Sequence, residues 1–332
     1  PGALRMPFGI LGTAGIARGS VVPAIVDSDH EAVAVASRDA DRARAFADEF
    51  GIDRAHGEYA ALLDDDGVDA VYVPLPNALH AEWTKRAADR GKHVLCEKPL
   101  GVDAAEAAEM GAHCERAGVT LMEAFMYRYH PMTERAATLV EEELGAVRSV
   151  NAAFQFPLYG DPGNVRLDPE LAGGSLMDVG CYAVNAARLF LGEPEAAHAT
   201  TADTRDSGVD THLAGVLTFD GGATATVTSS FDTVTTQRYR VETAEGYLEA
   251  TDCFNTPDAE TTLRYAVDGR EVVETFDPAD AYRAQVEEFA ACVAEDADPR
   301  TDADAAARNM AAIDALYEAA DTGRTVPVRP PV

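Results

Sequence analysis

The sequence predicts two folds in series: an α/β domain on a parallel sheet, then an α+β domain with a large, mostly antiparallel sheet. Three observations carry this. From Pro7 to Glu123, short apolar runs alternate with helical patterns. A glycine-rich turn follows the first of those runs. Past residue 125 the alternation stops, and strand-like segments follow one another between turn signals. Alternation of the first kind builds βαβ units, and a run of strands after it marks a second domain.

In chain order, Pro7–Leu11 is a strand and Ile16–Val26 a helix. Ala32–Ala36 and the helix Ala40–Phe50 follow, with a weak strand near Ala55. Asp69–Val73 precedes the helix Leu79–Arg90, His93–Cys96 precedes Ala104–Ala117, and Val119–Glu123 closes the series. Strands this apolar need cover on both faces, which crossover helices supply. The second region opens with a helix after Pro131 and a strand over Val147–Phe156. A Gly/Pro-rich stretch from Pro157 to Gly174 leads into a helix over Leu176–Leu191. From Ala197 to Phe276 the residues are dense in Thr and Val. Turn signals at Asp220-Gly221-Gly222, Glu245-Gly246 and Asp268-Gly269-Arg270 break them into strands. Helices over Ala281–Ala294 and Ala303–Ala320 end the chain. The expected domains are 1–124 and 125–332, with Pro1–Met6 set aside from fold reasoning.

Charge excludes some functions. The 332 residues hold 57 Asp and Glu against 27 Lys and Arg, a net charge of -30. Only Lys85, Lys92 and Lys98 are lysine among those 27. An acidic, arginine-biased chain fits high salt, where screening over a few ångströms blunts self-repulsion. No basic stripe exists to meet phosphates, so nucleic acid and anionic membranes are excluded as partners. Five cysteines without metal-ligand spacing point to reduced thiols and a cytoplasmic chain. No apolar run reaches membrane-spanning length, and no signal-peptide pattern opens the sequence.

Gly9-Ile10-Leu11-Gly12-Thr13-Ala14-Gly15-Ile16-Ala17 joins the first strand to the first helix. A dinucleotide turn needs a glycine, a small residue where backbone meets pyrophosphate, and a small residue for helix packing. Gly12, Ala14 and Ala17 fall at those offsets, with Ala14 in place of the usual second glycine. Thr13 and Ile16 belong to the same turn. At the end of the second strand, Ala36-Ser37-Arg38-Asp39 replaces the acid that would bind a ribose 2′-hydroxyl. Ser37 and Arg38 suit a 2′-phosphate, so NADP is expected over NAD. Asp39 reads equally well as a helix N-cap.

Pro74-Leu75-Pro76-Asn77-Ala78-Leu79-His80 follows the third clear strand, and Leu75, Pro76, Asn77 and His80 are candidates to face nicotinamide or its ribose. Cys96-Glu97-Lys98-Pro99-Leu100 follows the next strand, where open α/β sheets bind ligands. An ammonium can be tuned for chemistry and a guanidinium cannot, which singles out Lys98 with Glu97 beside it. Within Gly173-Gly174-Ser175-Leu176-Met177-Asp178-Val179-Gly180-Cys181-Tyr182, Asp178 and Tyr182 are four apart and share a helix face.

The ordered set GILGTAGIA, VASRD, PLPNALH, CEKPL, EAFMYRYHP and GGSLMDVGCY resembles the Gfo/Idh/MocA oxidoreductases over nearly the whole chain. Tyr182, where many members have histidine, and Ala14 resemble the branch of dimeric dihydrodiol dehydrogenases and NADP-dependent D-xylose 1-dehydrogenases. The resemblance implies a Rossmann domain plus an open-faced sheet domain, with the site between them. A strand-rich second domain leaves one sheet face exposed unless a partner covers it, which favours a homodimer or homotetramer through that face. The resemblance also implies Lys98 and Tyr182 as the catalytic pair, with Asp178 in support. Hydride would pass from C1 of an aldose, D-xylose first, to NADP⁺, leaving a lactone. Tyr182 serves as base with Lys98 favouring its ionised form, or Lys98 is itself the base; both assignments stay open. Arg128, His130, Phe156 and Arg166 are candidate sugar contacts, and no metal is required. Alternatives are an aldose–aldose oxidoreductase that retains NADP, a trans-dihydrodiol dehydrogenase, and a non-catalytic NADP sensor.

Overall fold

The structure, a computed structural model, describes residues 5–160, 163–256 and 259–331. Residues 1–4 of the stretch set aside above lie outside it, as do 161–162 in the Gly/Pro-rich stretch and 257–258 in the strand-rich region. Met6 belongs to the fold: it is buried, and its carbonyl accepts from Glu31 N at 3.1 Å.

Strand β1 (Pro7–Leu11) runs into a π-helical turn (Ala17–Val21) and then α1 (Val22–Val26). β2 (Glu31–Ala36) precedes α2 (Ala40–Phe50), which Asp39 caps through Asp41 N and Arg42 N and which Gly51 ends at φ 67°. β3 (Arg54–His56), α3 (Tyr59–Leu63) and β4 (Ala70–Val73) follow. α4 (His80–Ala88) precedes β5 (His93–Cys96). α5 (Ala104–Ala117), capped by Asp103 and closed by Gly118 at φ 70°, precedes β6 (Leu121–Glu123).

These six strands make one sheet in the order β3-β2-β1-β4-β5-β6. Every pair is parallel. Phe8, Ile10, Val35, Val71, Tyr72, Val94 and Leu95 are fully buried, as strands covered on both faces require. The strand order reverses at β1, so the C-terminal ends of β1 and β4 flank the crevice where such sheets take ligands.

α6 (Pro131–Leu139) starts the second unit, and its helical path continues in a π-helical turn (Val140–Leu144) to β7 (Val147–Gln155). Another π-helical turn (Leu176–Gly180) leads directly into α7 (Cys181–Leu191). Then come β8 (Ala196–Ala202), β9 (His212–Thr218), β10 (Thr224–Ser230), β11 (Thr236–Thr243), β12 (Tyr247–Thr251), β13 (Thr261–Val267) and β14 (Arg270–Phe276). With β15 (Val326–Pro327) they form a sheet in the order β14-β13-β12-β11-β7-β10-β9-β8-β15. Among its pairs, β7 with β10 is parallel and the rest are antiparallel. Ala225, Val227 and Ser229 of β10 are buried, whereas Thr224, Thr226 and Thr228 are not. That period of two marks a sheet with one packed and one open face.

The last helices are α8 (Ala281–Glu295) and α9 (Ala303–Thr322). The chain forms two compact units: Pro1–Met126 with Tyr282–Ala306, and Tyr127–Ala281 with Ala307–Val332. The expected break after residue 124 falls two residues later, and the expected single second segment is interrupted, because Tyr282–Ala306, with nearly all of α8, returns to the first unit. Its Phe289 ring lies 5.8 Å from that of Phe8, and Thr301 beyond it donates to Glu123 O at 2.7 Å.

Candidate active site

In the first unit, Gly12 closes β1 with φ +122° and donates from N to Ile10 O at 3.2 Å. A side chain there is excluded twice: that φ disfavours L residues, and a Cβ would lie 3.2 Å from Leu75 Cδ2. The glycine turn and the turn after β4 are thus neighbours. Thr13, Ala14 and Ile16 are half-buried, Ala17 is fully buried, and nothing lies within 4 Å of a Cβ built on Gly15. This is a backbone cradle with open space over it, as a pyrophosphate requires.

At the end of β2, Asp39 is committed to α2. Its Oδ1 accepts from Asp41 N at 2.9 Å and Arg42 N at 3.1 Å, and those backbone bonds hold its carboxyl below the usual range. Ser37 is 4% exposed, with Oγ accepting from Asp39 N, while Arg38 is exposed. The site therefore offers a cation where an NAD site offers an acid, and the residues fit a 2′-phosphorylated dinucleotide.

Lys98 sits in a turn gripped from several directions. Glu97 N donates to Val73 O at 3.1 Å, and Glu97 Oε1 accepts from Tyr72 OH at 2.7 Å. Leu100 N donates to the buried Glu123 Oε1 at 2.8 Å, and the Lys98–Pro99 bond is cis. Leu75, Pro76 and Asn77 form the adjoining turn, with Leu79 N donating to Pro76 O at 2.8 Å.

In the second unit, Asp178 lies in the π-helical turn ahead of α7, and Arg166 Nε donates to its Oδ2 at 2.7 Å. The Arg166 backbone is held on both sides: N donates to Asn164 Oδ1 at 3.0 Å, and O accepts from Gly174 N at 2.8 Å. The Tyr182 ring is 4% exposed, packed among Phe154, Phe254 and Tyr127 with centroids 5.3, 5.6 and 5.8 Å away. Arg128 Nη1 reaches Asn185 Oδ1 at 3.4 Å, and Phe156 rests edge-on against Phe231.

Comparison with known proteins places this geometry. A model described as "Oxidoreductase family, NAD-binding Rossmann fold" matches residues 6–125, and the GFO/IDH/MocA C-terminal domain matches residues 133–249. The chain belongs to the Gfo/Idh/MocA oxidoreductase family. It is 61% identical to "D-xylose 1-dehydrogenase (NADP(+)) 2" of Haloferax volcanii, over 97% of this chain and 99% of that one. Among solved structures it resembles the aldose-aldose oxidoreductase of Caulobacter crescentus complexed with glycerol. That match has a TM-score of 0.90 and 33% identity, covering 97% and 99% of the two chains. A 3-ketoreductase of Actinomadura kijaniata, in complex with NADP and TDP-benzene, matches with a TM-score of 0.88 and 34% identity, covering 95% and 98%.

Two residues of the expected Gfo/Idh/MocA site are corrected. His80 is fully buried, with Nδ1 2.9 Å from Pro99 O and Nε2 2.8 Å from Leu75 O. Both nitrogens face backbone carbonyls, so His80 ties the turn after β4 to the turn after β5 and has no ring nitrogen left to offer a ligand. Burial lowers its pKa against the pull of those carbonyls. His130 is also buried, and its Nδ1 accepts from Met132 N at 3.2 Å as the cap of α6. Lys92 is 8% exposed and donates to Asp65 O at 2.9 Å and Val68 O at 2.6 Å. Sequence reasoning missed Tyr72, Glu123 and Asp210, whose roles rest on partners distant in the chain and leave no local signal.

Proposed function

We propose that this chain oxidises C1 of an aldose, D-xylose foremost, with NADP⁺, releasing the lactone and NADPH. The near-full-length likeness to the Haloferax xylose enzyme carries this reading. The commitment of Asp39 to a helix cap, which leaves Arg38 at the 2′ position, supports the cofactor choice.

Gly12, Thr13, Ala14, Ile16 and Ala17 would hold the pyrophosphate, Arg38 with Ser37 the 2′-phosphate, and Leu75, Pro76, Asn77 and Glu97 the nicotinamide end. Bound NADP⁺ supplies the hydride acceptor. The C1 hydroxyl gives up its proton as the C1–H electron pair leaves as hydride, so two residues must manage one proton. Tyr182 takes it in the assignment we favour, and the Lys98 ammonium stabilises the phenolate by charge proximity. In the reverse assignment a deprotonated Lys98 takes it directly. Asp178, with Arg166 on its other oxygen face, and Arg128 and Phe156 would orient the sugar. The reading extends to a salt-adapted cytoplasmic homo-oligomer that assembles through the open sheet face, with five buried thiols suited to a reducing compartment.

The test is an aldose panel with NADP⁺ and NAD⁺ at molar salt. A much larger kcat/KM for xylose than for glucose, with NADP⁺ preferred, is the expected result. NADP binding without reduction on any aldose would leave a sensor instead. The likeness to the aldose-aldose oxidoreductase supplies a second reading. In that case a xylose and glucose mixture would be converted by the protein as purified, with no free NADPH accumulating.

A further inference from the structure

The helix that carries Asp178 and Tyr182 is not capped by its own sequence. Ser175, at its N-cap position, makes no side-chain cap. The capping group comes from Asp210, on the segment before β9. Asp210 Oδ2 accepts from Leu176 N at 2.9 Å and from Ser175 Oγ at 2.7 Å. Its Oδ1 accepts from Tyr317 OH of α9 at 2.7 Å, and its backbone carbonyl accepts from Ser175 N at 2.7 Å. Ser229 Oγ of β10 lies 2.9 Å from Ser175 Oγ and extends the network into the sheet. Gly174 completes the fit: its φ is +117°, and a Cβ there would collide with Asp210 Oδ1.

Asp210 is 8% exposed, and its partners here are neutral donors: two hydroxyls and a helix amide. A buried carboxylate without a cation is costly, and a neutral side chain of the same shape would still engage Leu176 N. What the charge adds is attraction to the positive end of the helix dipole, along the axis on which Asp178 and Tyr182 are strung. Three elements of the second unit thereby fix one helix start: the segment before β9, α9 and β10.

We propose that Asp210 is a positioning residue for the reaction, setting the axial position and rotation of the helix so that Asp178 and Tyr182 present their polar atoms to the substrate. The inference rests on the reading that Tyr182 takes part in the proton step.

The experiment compares Asp210→Asn, Tyr317→Phe and Tyr182→Phe in the full chain at molar salt. It reads kcat with D-xylose, NADP⁺ affinity by Trp83 fluorescence, and Tm. Asp210→Asn is expected to lower kcat about 100-fold, the scale of an ångström of misplacement, with NADP⁺ affinity within about twofold of the original. Tyr317→Phe, which removes one of the carboxylate's donors, should lower kcat about tenfold with the same split. A folded Asp210→Asn with the original kcat overturns the inference, as does a parallel loss of kcat, NADP⁺ affinity and Tm. If Asp210→Asn does not fold, the original kcat in Tyr317→Phe overturns it. Tyr182→Phe separates the two levels. The original rate there refutes the underlying reading and the anchor with it. A loss there beside an intact Asp210→Asn refutes the anchor alone.

Discussion

Lys98 is aimed by its neighbours. Glu97, Pro99 and Leu100 are each bonded to a different strand or helix, so the turn has little freedom to move the ammonium. Lys98→Ala should therefore lower kcat by about 10²- to 10⁴-fold, the usual worth of a proton-transfer group, while Tm stays close to the original. A rate near that of the unmodified protein would remove Lys98 from the chemistry. The turns that carry Lys98 and Arg38 were legible because each follows a strand's C-terminal end, where the chain pattern alone locates the edge of a parallel sheet. His80 and Lys92 show why the rest was hidden. A polar side chain near a helix end looks the same in sequence whether it faces a ligand or a buried carbonyl. Only the fold brings Pro99 O, Leu75 O, Asp65 O and Val68 O to those nitrogens.

At the scale of elements, the helix from Leu176 to Leu191 shows what a buried charge costs. Burial raises the Asp210 pKa from 3.8 against the bonds from Ser175, Tyr317 and Leu176. A raised native pKa contributes stability that is fully present below the unfolded value and lost as pH rises through the native one. Asp210→Asn abolishes that dependence. Its Tm relative to the original protein should thus climb as pH rises from about 4 to 7, by thermal melts at fixed salt. A flat difference would show no shift at Asp210, and a falling one would show that the carboxylate is stabilised by its site; either contradicts the expectation. β1, α2, β5 and α5 were readable to the residue, the strands from unbroken apolar runs and the helices because caps and apolar period agreed. α3 was not, because one helical turn shows no 3.6-residue period, nor was the two-residue β15. Nor were the π-helical turns, which keep a helical pattern while widening it by one residue.

For the whole molecule, the net charge of -30 predicts how stability depends on salt. Ion pairs such as Arg205 with Asp232 and Arg240 with Glu242 and Glu249 use basic residues that are outnumbered about two to one, so most acids face like charge. Tm should rise steeply between roughly 0.1 M and 1 M salt, as the screening length shortens from about 10 Å to about 3 Å. A Tm independent of salt, or falling with it, would contradict this. Charge also explains a limit on reading the sequence: it bears on solubility and salt response and says nothing of topology, so the return of α8 to the first unit could not be inferred from it.

That return has a consequence for the order of synthesis. The Rossmann unit packs Phe289 against Phe8, yet the two are separated by Tyr127–Ala281, the larger part of the second unit. A ribosome adding about 5–20 residues per second exposes β1 long before its cover exists. The first domain to be made is thus among the last to be finished. Its apolar flank depends on the chain's C-terminal third arriving before another molecule does.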